Sequence, residues 1–148
     1  MKAYDLDGVI AEKPPKAAKR WGRMNGAERR ARKESLLAWY RSAGCLRTIT
    51  SEDVVITARK AEPMIISATR EWFYRTHGFC PTIEFLDRSR TIKNVVEFKA
   101  AMLEKHGVTE FYEDNKVVLR GIHKLSPTVD IFFVAADGSH KPLVDIFS

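Results

Sequence analysis

Short β-branched runs alternate with longer stretches of helical periodicity along almost the whole chain, and this alternation restricts the fold more than any other feature. Residues 54–57, Val-Val-Ile-Thr, form one such run, followed by Ala58 and Arg59, and further runs at 82–86, 110–112 and 129–134 also read as strands. Pro63 suits the first turn of a helix that carries Met64, Ile65, Ala68 and Trp72 inward and ends near His77 and Gly78. A helix over 91–106 sets Ile92, Val95, Val96, Met102 and Leu103 on one face, with Lys93 in its first turn, and a shorter helix runs through Val117, Val118, Leu119 and Ile122. Asn25 and Glu28 have capping-box spacing, so another helix is expected over 27–43, with Leu36, Trp39, Tyr40 and Ala43 inward and Gly44 as its stop. After Asp137 and Gly138, residues 141–147 read as an edge strand. Strands alternating with helices predict a three-layer α/β domain around a mainly parallel sheet, with no linker or repeat to divide residues 1–148.

In such sheets, ligands bind beyond the carboxyl ends of the strands. Polar groups gather at three predicted strand ends: Asp5 and Asp7 after the first, Thr57 and Arg59 after the second, Glu113 and Asp114 after the fourth. The opening stretch, MKAYDLDGVI, carries the first pair. In extended backbone residues two apart share a side, and two neighbouring carboxylates are costly to desolvate without a cation or proton to offset them. The pair is therefore a site candidate, although the stretch also reads as a strand followed by an Asp-Gly turn.

The composition, 45% hydrophobic and 30% charged, is that of an ordinary globular protein and excludes a disordered or membrane-spanning chain. Cys45 and Cys80 are isolated, without metal-ligand spacing or a disulfide framework, and no signal peptide is apparent, so a cytoplasmic location is expected. The net charge of +6 favours encounter with polyanions or phosphorylated small molecules. Much of it lies in a basic loop and helix over about 11–44. Arg29, Arg30, Arg32 and Lys33 crowd the first half of that helix, the unfavourable end of its dipole, which suggests either an anionic partner such as nucleic acid or a solvated face. Trp21 either stacks on a base or packs the loop onto the core.

These residues resemble the haloacid dehalogenase superfamily of phosphotransferases. The matching signatures are Asp5-Leu6-Asp7-Gly8, the strand ending in Thr57, a lysine at Lys93, and the acidic pair Glu113 and Asp114. Within that superfamily, VVITARK, TIKNVVEFKAAML and FYED are similar to the phosphatase domain of polynucleotide kinase-phosphatases and to small nucleotidases. The usual Asp-Asp of these relatives is Glu-Asp here, and the segment before Val54 is too short for a large cap domain.

The resemblance implies a Rossmann-like fold and a magnesium-dependent phosphomonoesterase acting on a nucleotide or a nucleic-acid terminal phosphate. Asp5 would be the nucleophile and Asp7 the general acid and base. Asp5, the Asp7 main-chain carbonyl and Asp114 would hold Mg2+. Thr57 and Lys93 would contact the phosphoryl group, with Lys99, on the apolar stripe of the same helix, as a weaker competitor for the lysine role, and Glu113 would hold the lysine or a metal-bound water. Arg59 would bind substrate or pair with a carboxylate. Competing readings are a phosphatase of another small metabolite and a nucleic-acid-binding module without catalysis.

Overall fold

Alternate residues of each short strand enter different cores, and that sorting builds the layers. The computed structural model of the chain describes residues 1–143. In chain order the elements are β1 (Lys2–Tyr4), α1 (Gly26–Ser42), β2 (Val54–Lys60), α2 (Pro63–His77), β3 (Thr82–Leu86), α3 (Ile92–Lys105), β4 (Glu110–Glu113), α4 (Lys116–Leu125), β5 (Asp130–Val134) and β6 (His140–Pro142). The strands form one sheet in the order β3-β2-β1-β4-β5-β6, parallel except for β6, which runs antiparallel to β5. This is a small Rossmann-like α/β fold. Ala3, Val54, Ile56, Phe111 and Ile131 share one core with Val95, Val96 and Leu103 of α3 and with Val118, Leu119 and Ile122 of α4. Their neighbours Tyr4, Val55 and Tyr112 join a second core, closed by Trp72 and Phe73 of α2. The alternation is the period of two that a sheet covered on both faces requires.

α1 forms an outer layer, packing Leu37 and Tyr40 against Ala68 of α2. Its capping box is complete: the Glu28 N–H donates to Asn25 Oδ1 at 2.8 Å and the Asn25 N–H to Glu28 Oε1 at 3.1 Å. Leu37 is buried while Leu36 and Trp39 are half-buried, because α1 meets the rest of the protein along α2 and not along the sheet. The preceding segment is laid along α1. The Trp39 indole donates to the Glu12 carbonyl at 3.0 Å, Arg32 to the Pro15 carbonyl at 2.9 Å and Arg29 to the Trp21 carbonyl at 3.1 Å.

Two expected boundaries move. β2 does not give out at Thr57 but continues to Lys60, with a register shift against β3 between those residues. The last strand is His140–Pro142, and residues 144–147 of the expected edge strand lie outside the described residues. Among the described residues no helix is long and apolar enough to cross a membrane.

Candidate active site

The carboxyl ends of β1, β2 and β4 meet the amino end of α3 around a cleft of about 210 Å³ lined by Asp5, Asp7, Lys13, Ala58, Arg90, Lys99, Glu113 and Asp114 among others. β1 ends at Tyr4, and the chain then turns tightly, the Leu6 carbonyl accepting from the N–H groups of Ile10 and Ala11 at 2.9 and 3.0 Å. Gly8 sits in this turn at φ +85°, open to glycine without strain. A methyl group there would lie 2.2 Å from Asp114 Oδ2, so the same glycine lets the β1 and β4 loops close on each other.

Because extended backbone stops before Asp5, the two acids of the Asp-x-Asp stretch reach different cations. Lys99 Nζ donates to Asp5 Oδ1 at 2.9 Å and to Glu113 Oε1 at 2.7 Å, and all three residues are buried. Arg59 grips Asp7 with two bonds, Nη2 to Oδ1 at 2.7 Å and Nε to Oδ2 at 3.1 Å. Its Nη1 donates to Thr69 Oγ1 at 2.9 Å, and its guanidinium carbon lies 3.7 Å from the centroid of the Tyr40 ring, so α1 supports the site from behind. Asp114 pairs with Lys13 at 2.8 Å.

Burial raises the Asp5 carboxyl, but the Lys99 charge and hydrogen bonds from Glu113, Lys99 and the Leu6 N–H outweigh it and hold the group below its ordinary range. Glu113 goes the other way: burial, then the Asp5 charge, push it well above the ordinary glutamate value despite Lys99. Side by side under one ammonium, the two acids are driven in opposite directions, Asp5 toward its charged form and Glu113 toward its protonated one. Burial and the Asp5 charge also raise Asp114, against the opposing pull of Lys13. Lys99 is raised, since its two carboxylates outweigh the burial that would lower it.

No family model, curated protein or solved structure matches this chain. What the site can hold is read from its own atoms. Asp5, Glu113 and Asp114 each present a carboxylate oxygen, all within 4.8 Å of one another. An all-oxygen set of that size suits a hard divalent cation such as magnesium or calcium.

Of the residues singled out from the sequence, the fold brings together Asp5, Asp7, Arg59, Glu113 and Asp114. Lys93 is exposed on the first turn of α3 and does not line the cleft; Lys99, two turns on, is the lysine between the carboxylates. The signal for Lys99 was its place among Val95, Val96 and Leu103, where a charge on an apolar stripe needs a buried partner. Thr57 is buried and accepts from the Arg59 N–H at 3.1 Å, while its neighbour Ala58 lines the cleft. Arg29, Arg32 and Lys33 find partners within the chain, Lys33 with Glu62 at 3.0 Å, and Arg30 is exposed. The sequence reading missed Arg90 and the role of Lys13, each one of several cations in a polar stretch with no periodicity to set it apart.

Proposed function

We propose that the chain is a phosphomonoesterase of the haloacid dehalogenase type, which transfers the phosphoryl group of a nucleotide or a nucleic-acid terminal phosphate first to Asp5 and then to water, with magnesium as cofactor. The observation that carries this reading is Lys99, buried between Asp5 and Glu113 at a cleft that Asp7 and Asp114 also line. Lys99 keeps Asp5 ionised and fixed, as a carboxylate nucleophile requires. With Asp7 entering the cycle protonated, an Asp5 oxygen attacks phosphorus; the bond from phosphorus to the leaving oxygen breaks, and that oxygen takes the Asp7 proton. Water then gives a proton to Asp7 as its oxygen attacks the phosphorus of the aspartyl-phosphate, releasing inorganic phosphate and Asp5. Arg59 orients Asp7 for both transfers, and each Asp7 oxygen keeps a second lone-pair site for the moving proton. A magnesium ion held by Asp5, Asp114 and the Asp7 main-chain carbonyl would supply the positive charge that lets a dianionic phosphate approach a carboxylate.

A second reading, a phosphatase of another small phosphorylated metabolite, is favoured by one observation: Arg29 and Arg32 spend hydrogen bonds on the Trp21 and Pro15 carbonyls, which leaves less of the basic helix for a phosphate backbone. Both readings are tested by measuring phosphate release from aryl phosphates, mononucleotides and oligonucleotides with terminal phosphates, with and without magnesium. Magnesium-dependent turnover that disappears in a folded Asp5→Asn variant is the expected result. Full turnover by that variant, or none by the wild type on any substrate, overturns the assignment. Preference for the oligonucleotide that falls steeply with salt separates the first reading from the second.

A further inference from the structure

Lys13 and Arg90 are the exposed cations among the residues lining the cleft, and Lys13 is paired with an acid of the cluster, its side chain being 60% accessible while its ammonium stands 2.8 Å from Asp114 Oδ2. Lys99, which also lines the cleft, is held by two acids, and Arg59, behind Asp7, is held by Asp7 and Thr69. The backbone around Lys13 is pinned on both sides. The Glu12 N–H donates to the Gly44 carbonyl at 3.0 Å, the Glu12 carbonyl accepts from Trp39, and the Pro15 carbonyl accepts from Arg32. Pro14 and Pro15 further stiffen the segment. The side chain is therefore the movable part. It reaches Asp114 across Gly8, where an added methyl would meet Lys13 Cε at 3.1 Å.

A divalent cation that uses an Asp114 oxygen competes with this ammonium for the same carboxylate. We propose that Lys13 is an internal counter-ion for the cleft: it neutralises Asp114 while no metal is bound, is displaced when a divalent cation takes Asp114, and then serves as a ligand for the phosphate that enters beside it. This rests on the cation site and phosphoryl substrate of the preceding section. The pair is open to water on its lysine side, the Asp114 side chain being 13% exposed, so the ammonium can move into solvent, and a lysine held at the cleft by its backbone keeps its charge within reach after release. The two halves of the role predict opposite effects of one substitution: without Lys13 the cation binds more tightly and phosphate more weakly.

The test is calorimetric titration of the full chain with magnesium chloride, followed by titration of the magnesium-saturated protein with inorganic phosphate. The proteins are the wild type, Lys13→Met, Lys13→Gln, and Lys16→Met as a control that removes an exposed charge from the same segment. Expected are magnesium affinity about fivefold tighter in both Lys13 variants, phosphate affinity about tenfold weaker, and neither change in Lys16→Met. Unchanged or weaker magnesium binding, equal shifts in the Lys16 control, or unchanged phosphate affinity would overturn the proposal. Absence of magnesium binding in every protein removes the cation site and this proposal together. The expected shifts without turnover of any phosphomonoester keep Lys13 in its role and remove the phosphatase reading alone.

Discussion

Arg59 engages both oxygens of Asp7 in a fork, at 2.7 and 3.1 Å, with the Tyr40 ring 3.7 Å from its guanidinium carbon. The arginine side chain is only 3% exposed, so its charge is retained in the interior because that fork, Thr69 and the ring replace water. Replacing Arg59 with Met leaves Asp7 without its cation and Thr69 without its donor. A stability loss of about 3 kcal/mol is expected in urea unfolding at neutral pH. Lys at this position restores charge but not the fork and should recover only part of the loss. A variant within experimental error of wild type would mean that the pair does not form in solution.

Lys99 and Lys93 lie on one helix with opposite surroundings, and their substitution by Met separates a buried site lysine from a solvated one. Lys99→Met places Asp5 and Glu113 together without a cation, with an expected cost of about 3 to 5 kcal/mol and loss of phosphate release. Lys93→Met should leave both stability and turnover at wild-type values. Adding Glu113→Gln to Lys99→Met removes one of the two acids and should return part of the stability but none of the activity, as thermal melts and turnover assays on the double variant would report.

Glu113 contributes a pH dependence whose sign follows from its raised pKa. The folded state binds the Glu113 proton more tightly than the unfolded chain, whose glutamate titrates near about 4.3. Its contribution to stability is therefore full below that value and is lost as pH rises through the raised folded value. Asp5, which is lowered, acts oppositely, with a contribution lost as pH falls through its folded value. In urea melts with EDTA present, the stability of wild type relative to Glu113→Gln should decline from about pH 4.5 upward. A difference that grows with pH would assign the proton elsewhere.

Gly8→Ala meets two obstacles at once, a left-handed backbone at φ +85° and a methyl group 2.2 Å from Asp114 Oδ2. The backbone alone costs about 1 to 2 kcal/mol, and Asp114 has to turn away. Calorimetry should show weakened magnesium binding together with the lower melting temperature. If the melting temperature falls while metal affinity is unchanged, Asp114 is not a ligand.

The layers were legible because each element carried its own signal: β-branched runs at 54–57, the Asn25 and Glu28 cap, Pro63 at a helix start, and apolar periodicity through α3. The acids at the strand ends were legible for the same reason, since a carboxylate closing an apolar run has few structural uses. The side-chain pairings were not. Whether Lys93 or Lys99 meets Asp5 depends on the rotation of α3 about its axis, and that rotation is set by packing against α4 and the sheet. β2 continues past Thr57 to a residue, Arg59, that meets Asp7 from the turn after β1, a contact between residues 52 positions apart that no local pattern encodes. The arginines of α1 read as a surface for a partner because local charge does not reveal which carbonyls of a preceding loop will fold back onto them.

β1 lies between β2 and β4, pairing Ala3 with Val54 on one side and with Phe111 on the other. During synthesis the chain can therefore assemble β1, β2, β3 and α2 early, while one edge of β1 waits for the segment around Phe111. That edge is finished by the strand that also delivers Glu113 and, at its end, Asp114. Pairing of β4 with β1 and completion of the acidic cluster are thus one event, governed by a non-local pairing of the kind that slows folding. A nascent or partly unfolded chain that lacks this pairing also lacks the acidic cluster, so the cluster exists only once β4 has joined β1.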